Sequence, residues 1–395
     1  MNPFKEVVPI IQKIEAAGYE AYIVGGSVRD YLLRRPIHDI DIATSAFPHE
    51  IKSIFPNTVD VGIEHGTVLV IEKGISYEIT TFRTESEYEG YRRPEKVTFV
   101  RSLLEDLKRR DFTMNAMAMD ISGSIIDPFN GKHDLQQRVI KTVGSPHERF
   151  QEDALRMIRA VRFVSQLGFV LAEETQSALK QHAPLLSYIS IERISSEIEK
   201  LFNGQRKEDS LSLLIKSTIN EYLPGLKNRK HIIESMLVYD LSPLNARQMW
   251  ILLLHFVEGD KRAFMQEWKQ PNKKIKYVIK ALPFLECRLK KDWTPFQVYN
   301  AGESMASDVE AVARIILGLA LDQYEAQISA SFNSLPIQSV KDLAVTGDDF
   351  MNWEDKPGGP WIKEKLERVE RAVVEEKIVN DKDSIRRWLY SCNHR

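Results

Sequence analysis

Three short stretches of the chain hold residue types that can do chemistry. In Gly25-Gly26-Ser27-Val28-Arg29-Asp30, two glycines let the backbone come close to a ligand. The N–H groups of a helix starting there would join Arg29 in holding a triphosphate. Taken alone, the stretch also fits an ordinary strand-to-helix turn, and its spacing is neither a P-loop nor a dinucleotide fingerprint. In Asp39-Ile40-Asp41-Ile42, positions i and i+2 of a strand share a face. Both carboxylates then meet one solvent-facing site while Ile40 and Ile42 turn to the core. Two like charges that close call for a cation, and such oxygens suit Mg²⁺, which keeps positions open for substrate phosphates. A solvated edge strand is the plain alternative; nearness to the Gly-Gly turn favours the metal site. Glu78, sharing its face with Ser76 and Thr80, is the choice for a third carboxylate, and Glu72 competes for that place.

The third stretch is Asp153-Ala-Leu-Arg156-Met-Ile-Arg159-Ala-Val-Arg162. Asp153 and Arg156 are neighbours at i, i+3 on a helix, and a surface ion pair is the plain reading. A sharper one follows from donor and acceptor order. A carboxylate accepts and a guanidinium donates. Cytosine and adenine each present an amine beside a ring-nitrogen acceptor; uracil and guanine present the opposite order. One Asp–Arg pair would thus read C and A and reject U and G. The helical drift of a three-residue spacing turns Arg159 and Arg162 off that face, to reach phosphates or hold the helix to the rest of the protein.

The elements that must position these groups change character near residue 145. Before it, strands alternate with helices: a strand over 21–24, a helix over 27–34 with Ser27 as N-cap, and a strand over 39–43. Strands over 67–72 and 75–82 meet in a hairpin at Lys73-Gly74. Residues 83–94, charged and aromatic (Tyr88, Tyr91), read as a mobile loop. Ser102-Leu-Leu-Glu105 reads as a capping box, and Asp127-Pro128 with Asn130-Gly131 as turn chemistry. Beyond Ser145-Pro146 the periodicity is helical: one helix over 150–167, another striped by Ile191, Ile194, Ile198 and Leu201 and ended by Asn203-Gly204, then helices over 244–257, 261–268, 308–321 and 360–377.

Composition narrows the class. The 395 residues carry a formal charge of −2, so a nucleic-acid partner would be held by local basic patches rather than by a basic coat. Candidates are Lys273, Lys274, Lys276 and Lys280, which also fit a solvated helix face, and the Gly358-Gly359 turn before a helix. Two scattered cysteines, Cys287 and Cys392, fit neither a disulfide framework nor a Cys-based zinc site and point to a reducing, cytoplasmic setting. The N-terminal stretch lacks the marks of a signal peptide, and no apolar run is long enough to span a membrane.

In order along the chain, the Gly25–Asp30 and Asp39–Asp41 stretches, Arg109-Arg110-Asp111-Phe112-Thr113-Met114-Asn115-Ala116, Glu152-Asp153-Ala-Leu-Arg156 and Glu192-Arg193-Ile194 resemble the class II CCA-adding enzymes, the bacterial tRNA nucleotidyltransferases of the Bacillus type. These motifs cover roughly residues 20–200. The resemblance implies an α+β fold: a polymerase-β-type nucleotidyltransferase head (1–145), then an all-helical neck reading the nucleotide base (146–205), body (206–290) and tRNA-binding tail (291–395). It implies Asp39 and Asp41 as Mg²⁺ ligands, with Glu78 as the least certain transfer. Gly25, Gly26, Arg29, Arg110, Asp111, Asn115, Asp153, Arg156, Arg159 and Arg162 would contact the nucleotide. The expected reaction is attack of a tRNA 3′-hydroxyl on the α-phosphate of CTP or ATP, with release of pyrophosphate and no template. tRNA is the expected partner, with no membrane and no obligatory protein partner. The rivals are A-adding, CC-adding and poly(A)-polymerising relatives, a small-molecule nucleotidyltransferase and an inactive RNA-binding relic. Residues 83–101 are complete where CC-adding relatives have a shortened loop, which favours full CCA addition.

Overall fold

The computed structural model describes residues 4–37, 39–89, 91 and 93–391; Cys392 lies outside them. The chain forms two compact units, one running to Leu237 with Glu267–Lys269, the other Val238–Gln266 with Gln270–Arg395.

The first unit opens with α1 (Val8–Ala16), which buries Ile10, Ile11 and Ile14. β1 (Ala21–Val24) leads through Gly25 into α2 (Gly26–Leu32). The N-cap is Gly25 rather than Ser27; the Ser27 hydroxyl donates to the Val24 carbonyl at 2.9 Å and is buried. Gly25 has φ 71°, a conformation open to glycine at little cost. β2 (Asp41–Thr44), α3 (Pro48–Ile54), β3 (Thr58–Gly62), β4 (Thr67–Glu72) and β5 (Ile75–Thr81) follow. Lys73 and Gly74 both take positive φ, which gives the expected β4–β5 hairpin.

The expected mobile loop is a correction: β6 (Arg83–Glu89) and β7 (Arg93–Phe99) pair as a two-stranded hairpin. Its charged composition hides an alternating ladder with no apolar face to reveal it. Next come α4 (Leu103–Lys108), where Ser102 caps the Glu105 N–H as expected but the return bond from the Ser102 N–H that would complete the expected capping box is not found among the described residues, β8 (Ala118–Met119), β9 (Ile125–Ile126) and α5 (Gly131–Gln137). Seven strands make one sheet in the order β3-β4-β5-β2-β1-β8-β9, with only β2–β5 parallel.

α6 (Pro146–Glu152) and α7 (Leu155–Leu167) replace the single expected helix over 150–167. The break is Asp153, whose extended backbone (φ −137°, ψ 103°) frees its carboxylate to accept from the Leu155 N–H at 3.0 Å. Aspartate favours such a break because its side chain can cap the helix that follows. α8 (Glu173–His182) and α9 (Ile191–Phe202) complete the surroundings of the site, and α9 buries Ile194, Ile198 and Leu201 as its stripe requires.

The second unit is helical among its described residues. One of its cores gathers Tyr299, Phe350, Val369, Val373, Ile385 and Leu389. Its buried charges are paired: Glu310 accepts from Arg288 at 2.7 Å and from Trp293 Nε1 at 2.9 Å. Lys273, Lys274, Lys276 and Lys280 lie on one helix, Asn272–Arg288, where Lys274 packs over the Trp250 ring and Lys280 donates to the Asn300 carbonyl.

Candidate active site

The Gly25 turn, the start of β2 and the head of α7 converge on a cavity of about 430 Å³. Gly25, Gly26, Arg29, Asp41, Arg110, Asp111, Asn115, Asp153, Arg156, Arg159 and Arg162 all line it, so eleven of the thirteen expected site residues share one space. Asp39 and Glu78 lie on a neighbouring cavity that also includes Asp41. Arg109, Phe163 and Arg193 line the first cavity without having been expected there.

At the carboxylate end, Asp41 stands in register with Glu78 across the parallel β2–β5 pair, and like partners in a ladder share a face. Ile42 is fully buried and Asp39 and Asp41 reach the surface, but β2 starts only at Asp41, and Ile40, expected in the core, is half-buried on the neighbouring cavity because the chain before Asp41 has not joined the sheet. Glu72 is elsewhere: it sits at the hairpin end opposite Ile75 and pairs with Lys13 at 2.7 Å. Displacement of water by surrounding protein raises the Asp41 pKa, with Asp39 adding to the rise and Arg110 opposing it. Such a carboxylate gains from a cation. Among the described residues, no three acidic, His or Cys side chains close around an ion. An open, all-oxygen set of this kind fits a hard divalent ion that keeps positions for substrate oxygens.

The anion-binding wall is built from ordered arginines. Arg29 is clamped by both oxygens of Asp30 at 2.9 and 2.8 Å and donates to Asn115 Oδ1 at 2.9 Å. Arg110 donates to Asp106 Oδ2 at 3.0 Å, while its buried Nε finds no partner among the described residues. That orphaned donor beside Gly25 suits an anionic ligand. A Cβ on Gly25 would stand 3.1 Å from Arg110 Nη1, so a side chain there would crowd it. Asp106, itself buried, also accepts from Arg109 at 2.8 Å. Its spacing of three and four from Arg109 and Arg110 on a helix is the signal that could have found it.

Asp111 is a structural hub. It accepts from the Phe112 N–H, from Asn115 Nδ2 and from Arg159. Burial alone would raise its pKa, but Arg159 beside it and the Asn115 hydrogen bond hold it down at about 2. Arg159 therefore ties α7 to the rest of the site, one of the two roles expected of it. Arg159 and Arg162, expected off the face of Arg156 but at the nucleotide, line the same cavity as Arg156. Arg162 pairs with Glu197 at 2.6 Å and lies 3.9 Å over the Phe163 ring. Burial lowers its pKa to about 10 against the pull of Glu197.

Among the described residues, Asp153 and Arg156 are gripped by different partners. Arg193 grips Asp153 at 2.7 and 3.3 Å, whereas Arg156 donates to Glu152, to the Arg109 carbonyl at 3.0 Å and to the Arg149 carbonyl at 3.3 Å. Each group is thus held separately, with both on the cavity wall. The β6–β7 tip touches this corner: the Tyr91 carbonyl accepts from the Ala154 N–H at 3.1 Å, and the Tyr91 and Tyr188 rings lie 5.1 Å apart.

Comparison with known proteins gives the family. Residues 21–141 match the family model of the poly A polymerase head domain, 168–230 that of an RNA- and SrmB-binding site of polymerase A, and 242–389 that of tRNA nucleotidyltransferase domain 2. A CCA-adding enzyme of Geobacillus sp. (strain WCH70) is 49% identical over 395 residues, covering 99% of this chain and 98% of the relative. The crystal structure of the Bacillus stearothermophilus CCA-adding enzyme in complex with CTP superposes with a TM-score of 0.92 at 46% identity, covering 100% of this chain and 98% of that one. The Thermotoga maritima CCA-adding enzyme complexed with tRNA shares the fold, with a TM-score of 0.64 at 21% identity.

Proposed function

The chain belongs to the CCA-adding tRNA nucleotidyltransferases, and on that premise we propose which of its residues carry each part of the reaction. The enzyme adds CCA to the 3′ end of tRNA, with CTP and ATP as substrates. The observation that carries the residue assignments is the single arginine-walled cavity with Asp41 at one end and Asp153 and Arg156 on its wall.

In this reading the triphosphate lies against Gly25, Gly26, Arg29 and Arg110, where the unpartnered Arg110 Nε meets a phosphate oxygen. Asp111 and Asn115 hold Arg159 and Arg29 in place and face the ribose. Asp153 accepts from the amine of C or A, and Arg156 donates to the adjacent ring nitrogen. Asp39 and Asp41 would hold a divalent metal, which we take to be Mg²⁺, and Glu78 would complete the acidic face. When bound, the metal supplies charge neutralisation for the attacking and leaving oxygens. The protein's own part is to align the α-phosphate and to read the base without a template.

The division into head (1–145), neck (146–205), body (206–290) and tail (291–395) is part of this proposal, as is tRNA contact by the lysine-bearing helix and the Gly358-Gly359 turn. A cytoplasmic site of action is proposed likewise; no helix among the described residues is long and apolar enough to cross a membrane. The test is product length. Purified protein is incubated with tRNA lacking CCA and with CTP, ATP, UTP and GTP, singly and as CTP plus ATP. Two additions with CTP and a third only when ATP is present support the reading; A alone, or a long A tract, replaces it with an A-adding or poly(A)-forming activity.

A further inference from the structure

Phe163 lines the arginine-walled cavity and is only 3% exposed, yet the reaction as assigned gives it no role. Three guanidiniums surround its ring: Arg162 lies 3.9 Å from the centroid, Arg29 5.2 Å and Arg159 5.8 Å. Each distance is within reach of a cation–π attraction, which strengthens where water is excluded. The arginines come from two elements, Arg29 from α2 and the other two from α7. Phe112, fully buried, meets the Phe163 ring edge to face at 5.6 Å and 85° and fixes its plane. Each arginine already has one carboxylate: Asp30 for Arg29, Asp111 for Arg159 and Glu197 for Arg162. A further carboxylate at the centre would cancel the charge that attracts a nucleotide and would take up N–H donors. A ring does neither, because its negative face attracts guanidiniums without accepting their in-plane N–H groups. Among the described residues Arg29 gives three of its five N–H donors to Asp30 and Asn115, leaving two for a ligand.

We propose that Phe163 is a positioning residue for nucleotide binding: its ring gathers Arg29, Arg159 and Arg162 on one wall, still charged and with donors left for the triphosphate and sugar that CTP and ATP share. The inference rests on the proposed function. The ring itself touches no base, which Asp153 and Arg156 read. Phe163 therefore sets the affinity for both nucleotides equally and leaves the choice between C and U alone. The negative face of the side chain matters here, and not only its bulk.

The test uses the full chain with Phe163 replaced by its mono-, di- and trifluoro forms. Fluorine drains the ring face stepwise while the shape barely changes. Kd for CTP and for ATP, read by titration calorimetry, should rise about twofold per fluorine, to about eightfold in the trifluoro protein, the scale of desolvated cation–π contacts. The rise should be the same for both nucleotides, with kcat at saturating nucleotide, KM for tRNA and the preference for C over U unchanged. Phe163→Leu, apolar but without the negative face, should weaken both nucleotides about tenfold. The same fluorinated series at Phe150, which is equally buried on α6 and has no guanidinium over its ring among the described residues, should leave both Kd values at wild type. The proposal is overturned if Kd stays level across the series at Phe163, if CTP and ATP diverge, if the C-to-U ratio moves, or if the Phe150 series gives the same trend. Failure of the wild-type protein to extend tRNA lacking CCA would instead sink the functional reading itself.

Discussion

Replacing Arg193 by Met isolates the aspartate half of base reading. A carboxylate has about four acceptor positions. In Asp153, the Leu155 N–H takes one at 3.0 Å, and Arg193 takes two through Nη1 at 3.3 Å and Nη2 at 2.7 Å. One position remains for the amine of C or A, and its direction is set by the Arg193 grip. Without that grip the carboxylate turns freely and the amine loses a fixed acceptor. A hydrogen bond to a charged partner is worth about 1.5–3 kcal/mol. The Arg193 side chain is 31% exposed, so solvent screening favours the low end. The expected loss in preference for C over U is therefore about tenfold, or about 1.4 kcal/mol. Arg156 is only 7% exposed, and Arg156→Ala should cost more, up to about 100-fold in the same ratio with slowed C and A addition. The assay is single-turnover incorporation of each nucleotide onto tRNA lacking CCA. If both variants slow all four nucleotides equally and leave the C-to-U ratio intact, the arginines only support the fold and the base-reading argument is wrong.

Asp39→Ala or Asp41→Ala should depress transfer by about 10³-fold or more, and removing Asp41 should leave the thermal midpoint level or slightly raised, because the surrounding protein, and to a lesser degree Asp39, disfavours its charge; turnover within a few-fold of wild type would remove the catalytic assignment. Shortening the β6–β7 hairpin at its tip severs the Tyr91–Ala154 contact and should arrest synthesis after CC, so full CCA on a sequencing gel would show the hairpin dispensable. The Asp111 pKa of about 2 against an ordinary 3.8 corresponds to about 2–3 kcal/mol of stability. Because the folded value is the lower, that stability is present above about pH 4 and is lost as pH falls through about 2. Denaturant unfolding should therefore find Asp111→Asn weaker than wild type by about 2–3 kcal/mol at pH 7 with the gap closing below pH 4; a gap constant with pH would refute the pairing.

Local rules made much of this protein readable from its residues. A period of two put Asp41 toward solvent and Ile42 inside, Lys73-Gly74 specified its hairpin, and the stripe on α9 predicted what it buries, whereas Ile40, before the strand begins, stays half-buried. These outcomes depend on residues a few positions apart. The β6–β7 hairpin escaped notice because charged strands lack the apolar alternation that marks a sheet face. Partners distant in sequence were decided by the tertiary structure. Asp153 breaks its helix and pairs with Arg193, 40 residues away. Glu78 rather than Glu72 stands beside Asp41 because β5 joins β2 in parallel. The two cavities that meet at Asp41 exist only once that register is set. Spacing along a chain fixes which face a residue occupies within its own element; which elements meet, and at what register, follows from burying all the apolar faces at once.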